Sequence, residues 1–258
     1  MGNNLFVEEY GQGERVVVML HGAPSPPSHF RAFARALGAA RRVLVVHLPG
    51  YGESPVPVGA YDFEATLAQT ELALREHDVQ EADWIGFSAG GWRALAHGLR
   101  GSIRTRRIVL LAGVAAFPQQ NRDGFRQLAA FVRSGGDASA TAVALFLSPG
   151  FAASHPAAAA DVAQWPRATS ASNLATELEA LAALPDLLPS LDRLGCPVLA
   201  RVGVLDQATP LAWSADIVKQ LPHARLDAVP DAGHALLWED FEGTLAATVA
   251  WLDGDTPA

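Results

Sequence analysis

Short apolar runs alternate along the chain with longer amphipathic stretches. Uninterrupted apolar runs, such as Val-Val-Val-Met-Leu at 16–20, are typical of parallel strands, because helices cover both faces of a parallel sheet. The alternation predicts an α/β fold: a mostly parallel central sheet with helices on both faces. The predicted strands are 16–20, 43–46, 84–87, 108–111, 198–204 and 225–229, and the predicted helices are 30–37, 63–77, 91–99, 211–221 and 241–252.

This alternation stops in the middle of the chain. Between residues 115 and 191 the sequence turns to Ala-rich segments with helical periodicity, interrupted by prolines. An insertion after one strand of such a sheet lies over the carboxyl ends of the strands, where open α/β sheets bind their ligands. We therefore expect a core domain formed by 1–114 and 192–258, and a helical cap inserted at 115–191.

Composition narrows the class of protein. The 258 residues, 50% of them hydrophobic, suffice for a large buried core. A net charge of −8 disfavours nucleic acid as a partner, since phosphate binding requires clustered Lys and Arg. The single Cys196 cannot form an internal disulfide. Without a signal-like start or an apolar run of membrane-spanning length, we expect a soluble cytoplasmic protein, with no membrane partner, that is a monomer or homodimer.

The pentapeptide Gly-Phe-Ser-Ala-Gly at 86–90 joins a predicted strand to a predicted helix. This strand, turn and helix pattern is typical of a nucleophile elbow, in which a strained serine is exposed to substrate. Gly86 and Gly90 lack the Cβ atoms that would collide where strand and helix pass closely around Ser88. The pentapeptide alone more often marks an ordinary strand-to-helix turn than a catalytic serine.

A nucleophilic serine needs a base and an acid that orients the base. His234 follows the last predicted strand, and Asp206 follows the strand before it. The chain order Ser88, Asp206, His234 is that of the α/β-hydrolase triad. Asp231 is an alternative acid, but its position next to Pro230 favours a turn residue.

Together these motifs resemble the α/β-hydrolase superfamily, in its esterase-like branch with a helical cap. The resemblance rests on His-Gly-Ala-Pro at 21–24, Leu-Pro-Gly-Tyr-Gly-Glu-Ser at 48–54, the elbow, Asp206 and His234, and it covers nearly the whole chain. It implies an oxyanion hole formed by the backbone N–H groups of Ala23 and Ala89. The family commonly has an acid where this chain has His47, which puts the anchoring of that loop, or its response to pH, in question.

The sequence indicates the substrate pocket less specifically than it indicates the catalytic residues. An apolar pocket under the cap is the usual form of a ligand site. The predicted pocket residues are Phe30, Phe87, Phe117, Phe125, Leu128 and Phe131. We expect a neutral, mainly apolar small-molecule substrate: an ester, thioester, lactone or amide. No metal-ligand spacing or cofactor motif is found, so we expect neither a metal nor a cofactor.

These features lead to the hypothesis of a carboxylesterase-like serine hydrolase (EC 3.1.1) that forms an acyl-enzyme on Ser88. Two alternatives stay open at this stage. A cofactor-free lyase or C–C bond hydrolase would use the same triad, with His234 as a proton shuttle. A small-molecule receptor on a hydrolase fold is the third interpretation, although a protein that only binds needs no general base.

Overall fold

A computed structural model describes residues 5–59 and 61–254, so residue 60 and the four residues at each end of the predicted core domain lie outside it. Its described residues form a sheet of seven strands in the order β1-β3-β2-β4-β5-β6-β7. β1 runs antiparallel to β3, and every other neighbouring pair is parallel. The strands are β1 Val7–Tyr10, β2 Val16–Leu20, β3 Arg42–Val46, β4 Glu81–Phe87, β5 Arg104–Leu111, β6 Val198–Gly203 and β7 Ala224–Val229.

The six predicted strands are confirmed, and β1 is the strand that sequence reasoning missed. β1 has the sequence Val-Glu-Glu-Tyr and lies at the edge of the sheet. An edge strand pairs on one side only and stays partly exposed, so it carries polar residues. It therefore lacks the continuous apolar run that is typical of a central strand. β4 and β5 also begin earlier than predicted, through charged residues at their partly exposed starts.

Helices cover both faces of the sheet, as the pattern predicted. The core helices are α1 Arg31–Leu37, α2 Phe63–Glu76, α3 Ala89–Arg100, α9 Leu211–Lys219, α10 Leu236–Glu239 and α11 Phe241–Asp253. On one face, α2, α3 and α9 pack against side chains such as Val18 and Leu20, and on the other, α1 and α11 pack against Val17 and Met19. None of the helices within residues 5–59 and 61–254 is both long and apolar enough to span a membrane.

A group of helices connects β5 to β6, and we call it the cap. The predicted boundaries, 115 and 191, fall just before its first α-helix and within a 3₁₀ turn, Leu188–Arg193. All residues of this connection are described, and its α-helices are α4 Gln119–Arg133, α5 Ser139–Phe146, α6 Pro149–Ser154, α7 Pro156–Val162 and α8 Ala171–Ala182.

A buried ion pair joins the cap to the core. Arg93 on α3 donates from Nη2 to Glu177 Oε1 on α8 at 3.1 Å, and both side chains are almost completely buried. Tyr51 Oη donates to Glu177 Oε2 at 2.7 Å, and Arg93 also donates to Tyr61 Oη. The carboxylate therefore has a partner on each oxygen, as a buried charge requires.

We expect Glu177→Ala to lower the free energy of unfolding by about 3–5 kcal/mol, because it leaves the Arg93 guanidinium buried without its anion. Glu179→Ala is the matched control, since Glu179 lies two residues along α8 in an exposed pair with Arg133 and should change stability little. Denaturant unfolding of both variants measures the difference. Equal losses would show that the buried pair does not anchor the cap.

Candidate active site

Ser88 occupies a sharp turn between β4 and α3. Its backbone has φ 55° and ψ −123°, a conformation that non-glycine residues rarely adopt. The turn is held from both sides: Ser88 N donates to Leu111 O at 3.0 Å, and a Cβ atom on Gly90 would overlap Leu20 O. Such strain persists only where the surrounding structure enforces it, and it is concentrated at functional sites.

The loop after β2 passes directly over Ser88. A Cβ atom on Gly22 would lie 2.7 Å from Ser88 Cβ and 3.2 Å from its Oγ. Ala23 follows Gly22 in this loop, and Ala89 is the first residue of α3. The amino end of a helix favours negative charge because its first N–H groups are unpaired and its dipole is positive there. The fold thus brings the residues of both predicted oxyanion donors next to Ser88.

His21 fixes the position of this loop. Its Nε2 accepts from Leu48 N at 3.1 Å, so the ring proton lies on Nδ1, which donates to Gly22 O at 3.0 Å. The side chain is completely buried, and this burial lowers its pKa to about 3. His21 is therefore a neutral connection between the loops that follow β2 and β3.

His234 and Asp206 form a buried pair at the carboxyl end of the sheet. His234 Nδ1 lies 2.8 Å from Asp206 Oδ2, and this contact assigns the ring proton to Nδ1. His234 Nε2 is buried and has no hydrogen-bond partner among the described residues. A histidine in this state can accept a proton at Nε2 while the carboxylate stabilises the resulting imidazolium.

Thr209 is a site residue that the sequence analysis missed. Its Oγ1 lies 2.8 Å from Asp206 Oδ2 and 3.1 Å from His234 Nδ1, and it also contacts Ala112 O. The other carboxylate oxygen accepts from the backbone N–H groups of Ala208 and Thr209, at 2.8 Å each. The detectable signal was a Thr three residues after an Asp in a strand-to-helix turn, where such side chains pair with the backbone.

The predicted pocket residues do not all lie together. The Phe87 ring is 4.8 Å from the His234 ring, Phe30 is buried behind Phe87, and Leu128 lines an apolar cavity of about 30 Å³ next to Pro24. Phe117 and Phe125 instead pack against each other, with Phe117 also against Trp213.

Phe131 is half exposed and packs over Gly136 on the outer part of the cap. This position does not support the pocket role that we predicted for it. The helical period of α4 places Phe125, Leu128, Ala129 and Val132 on one face, and Phe131 lies off that face.

Three further aromatic residues lie near His234: His29, Phe146 and Trp165. The Phe146 ring stacks on the His234 ring at 5.1 Å, and Trp165 contacts Phe146 and His29. Phe146 O also accepts from Ala235 N at 2.8 Å, next to His234. The cap therefore contacts His234 through the Phe146 ring and the neighbouring Ala235 through the backbone.

Comparison with known proteins identifies the family of this chain. The model of the alpha/beta hydrolase family matches residues 17–247. The chain belongs to this family. A pimeloyl-[acyl-carrier protein] methyl ester esterase of Vibrio vulnificus is 29% identical over 244 residues, which cover 91% of this chain and 92% of the relative.

Solved structures of this hydrolase family share the whole fold. A thermophilic esterase from Thermogutta terrifontis has a TM-score of 0.89 and 25% identity, with 97% of this chain and 93% of that chain covered. An enol-lactonase from Burkholderia xenovorans has a TM-score of 0.88 at 22% identity, covering 96% of both chains, and this likeness concerns the fold alone. The relatives support hydrolysis as the chemistry of this α/β hydrolase.

In this α/β hydrolase, His47 anchors the loop that follows β3. His47 Nδ1 accepts from Glu53 N at 3.1 Å, and His47 O accepts from Ser54 Oγ at 2.6 Å. A carboxylate at this position would also be an acceptor. Burial lowers the pKa of His47, which keeps the ring neutral and Nδ1 available. The histidine thus supplies the acceptor that an acid would supply.

The buried His21 makes stability depend on pH. Its folded-state pKa of about 3 lies below the ordinary value of 6.5, so the unfolded chain binds more protons between these values. The stability that this group contributes is complete above 6.5 and is lost as the pH falls toward 3, by about 1.4 kcal/mol per pH unit.

We expect His21→Gln to show a shallower loss of unfolding free energy than the wild type between about pH 6 and about pH 5. Denaturant melts of both proteins across this interval give the two slopes. Parallel slopes would mean that His21 is protonated in the folded protein and that the hydrogen bond from Leu48 N is not maintained.

Proposed function

We propose that this hydrolase cleaves carboxylic esters through an acyl-enzyme on Ser88. The observation that carries the proposal is the state of His234: its Nδ1 is paired with Asp206 at 2.8 Å, and its Nε2 is unpaired among the described residues. A general base for a serine needs this tautomer, with the free nitrogen available to the hydroxyl.

In the first step, Ser88 Oγ attacks the carbonyl carbon and its proton passes to His234 Nε2. The carbonyl oxygen becomes an oxyanion, which accepts from the N–H groups of Ala23 and Ala89. Each donor of this kind raises the rate on the order of 10²- to 10³-fold. Collapse of the intermediate breaks the bond to the alcohol oxygen, which takes the proton from His234 and leaves as the alcohol.

In the second step, water attacks the acyl carbon and gives a proton to His234 Nε2. The acid product leaves when the Ser88 ester bond breaks, and His234 returns the proton to Ser88 Oγ. Asp206 stays ionised throughout and holds the imidazole in its orientation. Thr209 and the two backbone N–H groups fix the carboxylate in turn, so the geometry changes little between the two steps.

A short apolar acyl group suits the cap best. The apolar cavity next to Pro24 encloses about 30 Å³ and is walled by cap side chains. This space is small, so a long chain would have to displace the cap helices. The cavity adjoins Phe146, which lies against His234, and Pro24, which follows Ala23.

We expect Ser88→Ala to lower kcat by about 10⁶-fold while the protein stays folded, as single losses of a triad nucleophile do. The assay uses p-nitrophenyl esters from acetate to decanoate, with circular dichroism as the check on folding. Ser214→Ala is the control, because Ser214 is also a buried serine but lies on α9, and it should keep wild-type turnover.

A fluorophosphonate probe tests the nucleophile independently of turnover. Labelling should occur at Ser88, should disappear in Ser88→Ala and should persist in Ser214→Ala. Esters with short acyl chains should give the highest kcat/KM. Wild-type activity in Ser88→Ala would contradict the mechanism, and labelling of Ser88 without hydrolysis of any ester would contradict the proposed reaction.

A further inference from the structure

Five aromatic rings form a closed cluster next to Ser88, which we call the aromatic cluster: His29, Phe87, His234, Phe146 and Trp165. Taken in that order, neighbouring ring centroids are 5.2, 4.8, 5.1 and 5.6 Å apart, and Trp165 closes the cycle with His29 at 4.6 Å. Trp165 and His29 thus lie one ring away from the catalytic histidine.

Besides His234 Nε2, two nitrogen atoms of this cluster lack a partner. Trp165 Nε1 and His29 Nε2 are both buried without a hydrogen-bond partner among the described residues, and the Trp165 residue is only 2% exposed. A buried indole N–H usually has an acceptor, and leaving one unpaired costs about 1–3 kcal/mol. Two such atoms in contacting rings next to a triad indicate a position for a polar ligand atom.

One member of the cluster also borders the surface. His29 packs on Phe87, and it lines a surface groove of about 670 Å³ whose further walls include Arg31, Arg35 and Trp238. His29 therefore belongs both to the aromatic cluster and to the wall of this groove.

We propose that Trp165 Nε1 and His29 Nε2 together bind a second oxygen atom of the substrate, so that the enzyme selects esters or lactones that carry an additional neutral oxygen. This inference rests on the proposed ester hydrolysis. The indole N–H can only donate, whereas a neutral imidazole Nε2 either donates or accepts. A keto or ether oxygen accepts from both groups, and a hydroxyl accepts from Trp165 and donates to His29.

The second oxygen is neutral rather than a carboxylate. Burial lowers the pKa of His29 to about 3, so its ring carries no positive charge at neutral pH. The side chains of Phe87, Phe146 and Trp165 are uncharged as well. A carboxylate here would lose its hydration without gaining a cation, which is far more costly than burying a keto or ether oxygen. Arg31 in the groove pairs with Glu8, and both groove arginines are exposed to solvent.

The test compares matched substrates in wild type and variants. Phenyl pentanoate and phenyl 4-oxopentanoate differ by one keto oxygen, and butyl and 2-methoxyethyl pentanoate differ by one ether oxygen on the alcohol side. The measured quantity is the ratio of kcat/KM within each pair. Comparing these ratios between proteins cancels both the intrinsic reactivity of the esters and any general change in activity.

We expect Trp165→Phe to lower the oxygen preference about tenfold in at least one pair, the size expected when one hydrogen bond to a buried donor is lost. His29→Phe should lower the same ratio, and the pair that responds identifies the acyl or the alcohol side. The monophenyl ester of succinate should be a poorer substrate than phenyl 4-oxopentanoate in the wild type.

Trp84→Phe is the matched control. Trp84 is also a buried indole with an unpaired N–H, and it stacks on His97, whose Nε2 is unpaired too, but this pair packs in the core on the opposite face of the sheet. Its ratios should equal those of the wild type.

Unchanged ratios in both Trp165→Phe and His29→Phe, with esters still hydrolysed and Ser88 still labelled, would overturn this inference and leave the proposed function standing. Equal losses in Trp84→Phe would also overturn it. A wild-type protein that hydrolyses no ester and is not labelled at Ser88 would overturn both.

Discussion

The site depends on how closely three backbone segments pass one another at Ser88. β4, α3 and the loop after β2 meet there, and the contact leaves no room for a Cβ atom on Gly22 or Gly90. This crowding enforces the φ of 55° at Ser88, because the strand and helix on either side fix the directions of the chain. It also brings the loop that carries Ala23 up to the amino end of α3. The proposed nucleophile and the proposed oxyanion donors thus depend on one packing constraint.

Side-chain and backbone contacts join the cap to the segments that carry Ser88 and His234. Near its carboxyl end, Glu177 pairs with Arg93 on the helix that begins at the elbow. Near its middle, Phe146 O accepts from Ala235 N, and Ser148 N donates to the carboxylate of Glu239. A movement of the cap segment around Phe146 would therefore displace the residues that flank His234.

Much of the fold was predictable because the central strands are buried on both faces and carry continuous apolar sequence. β1 was not predictable, because its sequence, with two glutamates at an exposed edge, resembles that of a loop. Ser88, Asp206 and His234 could be proposed because strand-end positions converge at one edge of a parallel sheet. The proximity of Phe146 and Trp165 to His234 could not be predicted, because it depends on how the cap folds back over the sheet. Neither the helical period nor the prolines of the insertion determine that arrangement.

His47 shows a further limit of pattern reasoning. The motif places an acid there, and the sequence alone could not separate loss of a loop anchor from a new response to pH. The structure shows the imidazole accepting the Glu53 N–H, which preserves the hydrogen bond with a different acceptor. His47 thus supplies a buried acceptor at this position of the chain.

The most direct test of the site is a crystal structure of the protein after reaction with a methyl-substituted fluorophosphonate, whose tetrahedral phosphorus stands in for the attacked carbonyl carbon. We expect a covalent bond from phosphorus to Ser88 Oγ, with one phosphonyl oxygen accepting from the N–H groups of both Ala23 and Ala89. An adduct on another residue, or an oxygen directed away from these two N–H groups, would contradict it.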